Sequence, residues 1–551
     1  MKLSDTFSSE LDGRVRRLLQ PVRIVASGGG IRRQEFLLTP HGGQTTIWSD
    51  DGAVLEPGAW LLVDFGNEIH GSVQLVSVRN PESRPTKLRI RFGESVSEAY
   101  HAPNNDHAMH DMVIEAANMG TAEAGMTAFR FVRIDNADTV SCSLREIRAV
   151  FLFHDFEYLG SFRCSEPLLN DIWTAAARTV QLCMQEYLWD APKRDRLIWM
   201  GDMHPEVCAA ADIFGKVGVV ERSLDFVRNE TPLPRFMNGI LSYTVSWGLS
   251  HYSWFKAFGD LKYLGEQQEY LRHFIRVLEE LALNNPEMFV RSGLIDWSHP
   301  HDESGVLAGA FQAQCVWALR CFAELFDALD DPEYAVRARR LADTVAAFPG
   351  NPGSARTVLV HRVLAGMEDA ETANRTGFSV SPFTDVTTFQ GFYLLKARAL
   401  AGDFAGALDV IRNYWGGMLK LGSTTFWEHF DPAWMENASR IDELPQEGKR
   451  DVHRECGAGC FRGLRNSFCH GWGAGAASWM AENILGIRRT APGGVSVEIE
   501  PHLCGLSFVR GSIPTAFGIL EAEHRAADGR VETKILQCPA GVRVGILPGT
   551  L

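Results

Sequence analysis

At 551 residues the chain is too long for one ordinary core, and 45% hydrophobic with 22% charged residues is the composition of a soluble globular protein of several domains. Fifty-four Lys and Arg stand against 68 Asp and Glu, a net charge of −14, with no basic block that could track a phosphate backbone, which excludes nucleic acid as a partner. The opening Met1-Lys-Leu-Ser-Asp holds no signal-peptide run and no window approaches the roughly 20 apolar residues of a membrane span, so the expected partners exclude a membrane and the expected compartment is the cytoplasm.

From about 30 to 155 the apolar residues alternate in short runs, "AWLLVDFG", "GSVQLVSVRN", "TKLRIRFGES", "FRFVRIDNA" and "REIRAVFLFHD", punctuated by Gly, Asn, Pro and Asp. This predicts an N-terminal antiparallel β-sandwich over 1–158. The period then becomes helical. Ser165 is expected to cap a first helix, with Pro167 in its opening turn, and later stretches such as "LKYLGEQQEYLRHFIRVLEELAL" and "LAGAFQAQCVWALRCFAELFDAL" bring the total to about a dozen helices over 159–487. A dozen helices in antiparallel pairs can close into a toroid around a central pit, whereas an open solenoid would need a fixed repeat that this stretch lacks. After Leu485 the strands return in "GVSVEIEPHL", "LSFVRGSIPTAFGILEAEHR", "RVETKIL" and "VRVGIL", a C-terminal β domain over 488–551. The eleven cysteines are scattered without a framework spacing and read as reduced thiols.

Chemistry concentrates on loops between helices. In "DAPKRDRLIWMGD", Pro192 stops a helix, and Asp190, Asp195 and Asp202 alternate with Lys193, Arg194 and Arg196 beside Leu197-Ile198-Trp199. An ion-paired surface loop with Asp202 as a helix N-cap is the bland reading, but the apolar run is out of place in solvent, and carboxylates beside aromatic surface are where an acid's pKa can be raised. In "GSTTFWEHFD", Glu428 follows Trp427 in a run with almost no other charge, and in "SFCHGWGAG" small residues allow close approach beside His470 and Trp472. Further loops offer Asp296 and Trp297, and the group Tyr243, Trp247, Tyr252 and Trp254. Aromatic stripes at helical spacing are more often core, and a lone histidine is more often structural. Together, aromatic plates with carboxylates and imidazole are what pyranose recognition requires, and glycosidic cleavage needs one carboxylic acid and one carboxylate. No phosphate-binding loop, nucleophile elbow or zinc-protease helix occurs. Neither His453, Cys456, Cys460, Cys469 and His470 nor His299, His301, Asp302 and Glu303 has a common metal-site spacing, so no metal and no cofactor is expected.

"DAPKRDRLIWMGD" resembles the signature loop of the bacterial α-L-rhamnosidases of glycoside hydrolase family 78, and "GSTTFWEHFD" resembles that family's second motif. The likeness extends through "GSFRCSEPLLNDIW" and "SFCHGWGAGAASWM" to "GIRRTAPGGVSVEIEPHLCGLSFVRGSIPTAFGILEAE", from about 60 to 525, with the motifs in the family's order. The resemblance implies an (α/α)6 barrel of six hairpins flanked by β-sandwich domains, acting on terminal α-L-rhamnosides with inversion and without a cofactor. By position, Glu428 would be the general base, Asp190, Asp202 and His470 would bind the sugar, and Arg194 and Trp199 would shape the subsite; from the loops themselves, Trp247, Asp296, Trp297, Trp427 and Trp472 are expected as further contacts. The general acid departs from the pattern: most relatives have glutamate where this chain has Asp195, one methylene or roughly 1 Å shorter. Asp195 is nonetheless the expected acid, with Glu206 as the fallback. A single N-terminal sandwich suggests a compact enzyme for small rhamnosides, with a homodimer as one possible assembly. Two alternatives stay open: another six-hairpin glycosidase acting on a different sugar, and a catalytically inactive sugar-binding protein.

Overall fold

The computed structural model describes residues 12–103, 105–106, 108–291, 294–297, 305–350 and 353–551. The candidate cluster at His299, His301, Asp302 and Glu303 lies outside the described residues.

The N-terminal alternation becomes one nine-stranded antiparallel sheet, in which the long strands Trp60–Ser77 and Gly120–Asn136 pair along most of their length. Trp60–Ser77 takes Arg23–Gly28 as its other neighbour in its first half and Cys142–Phe153 in its second, so the sheet bends over a shared core of Leu61, Val63, Leu75, Ile90, Phe129 and Ile134. "WLLV" reads as an unbroken apolar run because both faces are covered. Leu61 and Val63 enter that core, while Leu62 points the other way onto Val96, Ala99 and Phe131.

Six helices form a closed inner ring. Met203–Ile213 packs on Leu241–Phe258, and the chain of contacts continues through Ala310–Ala328, Arg356–Leu364, Thr388–Leu400 and Gly475–Asn483 back to Met203–Ile213. Outer partners, among them Pro167–Cys183, Leu261–Asn284 and Pro332–Ala346, pack against them from outside. Composition separates the layers. Leu241–Phe258 is buried nearly throughout, whereas Leu261–Asn284 buries one stripe of Tyr263, Leu264, Leu271, Phe274, Ile275 and Leu278 and turns its charges outward. Residues at or just before the N-terminal ends of the inner helices, including Asp202, Tyr243, Thr387 and Trp472, gather at one mouth of this six-hairpin barrel. No described helix is long and apolar enough to cross a membrane.

Two details differ from the expected layout. Ser165 does not cap the first helix, which opens at Pro167 after Glu166; its hydroxyl instead accepts the Ser507 N–H at 3.0 Å. Strand Ser161–Cys164, inside the stretch read as barrel, pairs antiparallel with Phe508–Thr515, so the C-terminal four-stranded sheet borrows its edge from the entry to the barrel. A three-stranded sheet of Ile487–Arg489, Ser496–Ile499 and Arg543–Ile546 completes the C-terminal region. All eleven cysteines are unpaired.

Candidate active site

The loop after the first helix is closed by its own backbone: Asp190 N–H donates to Leu197 O at 3.0 Å, and Leu197 N–H donates to Asp190 Oδ1 at 2.9 Å. Asp195 and Arg196 reverse the chain at φ 57° and 52°, in the left-handed region that aspartate enters more readily than most residues. This turn points Asp190, Arg194 and Asp195 into a cavity of about 170 Å³, also lined by Trp199, Asp202, Trp297, Glu428, Cys460, Arg465, His470 and Trp472.

Arg194 is its hub. Nη2 lies 2.6 and 2.5 Å from the two oxygens of Glu428, Nη1 lies 3.3 Å from Asp195 Oδ1, and Nε donates to Arg465 O at 2.8 Å. One guanidinium therefore spans the two carboxylates that sequence alone separates by 233 positions. Glu428 Oε2 also accepts the Ser467 N–H at 3.1 Å. Of the four lone-pair directions of this carboxylate three are taken, and Oε1 keeps one. Burial pushes Glu428 above its ordinary range, while the Arg194 guanidinium and the Ser467 N–H oppose the shift. Burial, with the charges of Asp195 and Asp202, pushes Asp190 well up; burial and Glu428 do the same to Asp202. Burial and Arg194 hold His470 well below the usual imidazole range, so its ring is neutral.

Aromatic rings complete the walls. Trp199 packs edge-on against Tyr243 and Trp297, both at 6.1 Å between centroids, and donates Nε1–H to Asp195 Oδ2 at 3.2 Å. Trp297 Nε1–H donates to Tyr243 Oη at 2.7 Å, and Tyr243 O–H donates to Asp202 Oδ1 at 3.3 Å. Asp202 thus serves the cavity, although it stands at a helix start where its side chain makes no capping bond. Gly201 is required here because any side chain would collide with the Tyr243 ring. Trp472 lies 4.0 Å from the His470 ring and donates to Glu428 O at 3.0 Å.

Three expected contacts fall elsewhere. Trp247 is fully buried, donates to Leu224 O at 3.1 Å and packs on His251 and Tyr270; it is core, because every face of its inner helix is covered. Trp427 is likewise fully buried, stacked 3.9 Å from Phe468, on the side of its segment away from Glu428. Asp296 lines a neighbouring cavity of about 600 Å³ and accepts the Thr387 hydroxyl at 2.7 Å. The fallback acid Glu206 is fully buried behind Gly471, outside the cavity lining, and burial pushes its carboxyl well above the ordinary range. Trp247→Ala should therefore cost about 3–5 kcal/mol of unfolding free energy, read by denaturant titration, with KM unchanged in the folded fraction.

Several contributors carry no sequence signal. Arg465 lines the cavity and is ion-paired with Asp106 of the N-terminal region. Beneath the loop, fully enclosed Lys193 lies 2.6 Å from Glu98 and 3.2 Å from Glu94 and donates to Leu464 O at 2.8 Å and Asn466 O at 3.2 Å. Glu94 in turn accepts the Phe468 N–H at 2.6 Å and the Ser467 hydroxyl at 3.2 Å. The sheet domain thereby holds the segment whose Ser467 N–H supports Glu428. Glu94, Glu98 and His453 are close enough together to suggest a metal, but the Lys193 ammonium already lies against both glutamates, and His453 bonds Ser95 Oγ and Asn466 O through its two nitrogens. His453 is thereby committed, and it forms no ligand set with Cys456 and Cys460.

Burial, only partly offset by Lys193, pushes Glu94 up to about 7 from an ordinary 4.5. The folded state therefore binds this proton more tightly, and its contribution to stability is full below about pH 4.5 and lost as pH rises through about 7. Lys193→Met should cost about 3–5 kcal/mol, with the deficit growing from pH 5 to pH 8 in urea titrations; a pH-independent deficit would contradict this.

Residues 157–351 match the family described as the bacterial alpha-L-rhamnosidase six-hairpin glycosidase domain. That stretch of the chain is similar to the α-L-rhamnosidase domain family. A curated alpha-L-rhamnosidase of Streptomyces avermitilis is 24% identical over 507 residues, 81% of this chain and 44% of that protein, and one of Formosa agariphila is 27% identical over 158 residues, 27% and 16%. The chain spans less than half the length of these curated relatives. Among solved structures, the family 78 rhamnosidase of Bacillus sp. GL1 has a TM-score of 0.71 at 22% identity, covering 94% of this chain and 56% of that one. The rhamnosidase of Klebsiella oxytoca with rhamnose bound has a TM-score of 0.65 at 19% identity, covering 85% and 96%.

Proposed function

We propose that the chain is an inverting α-L-rhamnosidase that removes terminal α-L-rhamnose from small rhamnosides. The observation that carries this reading is the Arg194 bridge between Asp195 and Glu428 in an aromatic-walled cavity that also holds two further buried carboxyls, Asp190 and Asp202. The match of residues 157–351 to the rhamnosidase domain and the two rhamnosidase-like motifs support rhamnose as the sugar.

Glu428 is the base. Arg194 keeps it charged, and the free lone pair of Oε1 accepts a proton from a water that attacks the anomeric carbon. Asp195 is the acid: it passes its proton to the glycosidic oxygen as that bond breaks, and between turnovers it regains a proton from solvent while Glu428 releases to solvent the one it took from water. Asp190, Asp202 and neutral His470 hold hydroxyls of the ring, and Trp199, Trp297 and Trp472 cover its apolar face and exclude water. A cavity of about 170 Å³ suits one deoxyhexose, and the leaving group extends outward. We further propose a cytoplasmic enzyme without metal or cofactor, organised as 1–158, 159–487 and 488–551.

The test is a panel of p-nitrophenyl glycosides offered to the purified protein. The α-L-rhamnoside should be cleaved at least about 100-fold faster in kcat/KM than the β-D-glucoside, α-L-arabinoside or β-D-glucuronide. Preference for another sugar would replace the substrate while keeping the fold, and no cleavage of any would leave a binding protein.

A further inference from the structure

The inner helices present their reactive groups at one mouth, but their other halves also surround open space. Beyond His204, the C-terminal parts of Met203–Ile213, Leu241–Phe258 and Thr388–Leu400, with Trp317 and strand Ile487–Arg489, enclose a cavity of about 290 Å³. A second cavity of about 350 Å³ continues from it, with Trp317, Lys396, Glu482 and Arg488 lining both. Neither shares a lining residue with the catalytic cavity. The His204 ring stands between the two ends, held by the Tyr393 hydroxyl at 3.2 Å and the Ser253 hydroxyl at 2.9 Å.

Most of the charges here are paired, although the wall carries more cations, Lys256, Lys396, Arg488 and Arg489, than carboxylates, Asp212 and Glu482. Lys396 lies 2.9 Å from Glu482, Arg489 lies 2.7 Å from Asp212, and Arg488 lies 2.5 Å from Glu500. Cations near helix C-termini are also what the helix dipole favours, so by themselves they call for no anion. The dipole does not account for Trp317 and Tyr252, two large aromatic side chains left half-buried on a wall where apolar surface alternates with charged groups. An anionic ligand would have to compete with these carboxylates everywhere but at Lys256, which lies 3.8 Å from Glu324, and an apolar one would leave the ion pairs dry. A neutral, hydroxyl-rich ring does neither, because its C–H face lies on an aromatic plate while its hydroxyls bridge carboxylate and ammonium without separating them. Each compartment is larger than the catalytic cavity that holds one sugar on our reading, so the two together take a disaccharide or the end of a longer glycan.

We propose that the far mouth of the barrel is a second carbohydrate-binding site for neutral pyranosides, separate from catalysis. It would hold the enzyme on a glycan while the opposite mouth trims another residue, and it stands whichever glycoside that mouth cleaves. The test is saturation-transfer NMR on the full chain with L-rhamnose, maltose and cellobiose as probes, comparing wild type with Trp317→Ala and Tyr252→Ala. At least one probe should bind wild type and lose affinity about fivefold or more in both variants, with kcat/KM on the aryl glycoside unchanged. Should Trp317→Ala fail to fold, Tyr252→Ala decides, since its hydroxyl reaches only the exposed Glu324 at 2.9 Å. Absence of binding by all three probes, or binding that neither variant weakens, overturns the proposal.

Discussion

Glu428→Gln should lower kcat on an aryl α-L-rhamnoside by about 10²–10⁴-fold with KM little changed. The amide keeps the shape and can still accept from Arg194 and Ser467, so the loss reads as chemistry rather than as folding. Azide, which needs no base, should restore turnover and yield the β-rhamnosyl azide, a rescue that a merely structural glutamate would not show. A variant within tenfold of wild type would remove Glu428 from the mechanism. The pH profile carries the same assignment. Glu428 must be unprotonated to act, and burial raises it above an ordinary 4.5 even against Arg194. Activity should therefore fall as pH drops, with the acid limb of kcat/KM above the usual carboxylate range, and Arg194→Met should move that limb further up.

Asp195→Asn should show an effect that depends on the leaving group. With an alkyl aglycone, whose alkoxide cannot depart unprotonated, kcat should fall by about 10²–10⁴-fold. With p-nitrophenol, which leaves without a proton, the loss should be at least tenfold smaller. A loss equal for both leaving groups would mean that Asp195 only orients Arg194 and Trp199 and that the proton comes from elsewhere. Glu206 is the weaker candidate: burial raises its carboxyl well above the ordinary range, as an acid needs, but it is sealed behind Gly471 outside the cavity.

The elements most legible in the sequence were those whose period reflects a single burial boundary. Alternation in "GSVQLVSVRN" and the stripe of Leu261–Asn284 each mark one buried side, whereas "WLLV" hid two cores because its sheet is covered on both faces. The site was legible along the loop and illegible across the fold. Asp190, Arg194, Asp195 and Asp202 stand together in thirteen residues; Arg465 looks no different from Arg462, and only the closed barrel brings it to the cavity. Glu94 and Glu98 belong to another domain, and nothing in "FGESVSE" announces that they enclose Lys193. The tryptophans mark the limit of composition. Trp427 adjoins Glu428, yet its ring is buried against Phe468 and becomes core while the Glu428 carboxylate lines the cavity.

The most direct measurement is a time-resolved proton NMR spectrum of the protein with p-nitrophenyl α-L-rhamnopyranoside, recorded before mutarotation. Water delivered by Glu428 to the face opposite the leaving group predicts β-L-rhamnose as the first free sugar. First appearance of α-L-rhamnose would contradict the single displacement and make Glu428 a nucleophile or a bystander.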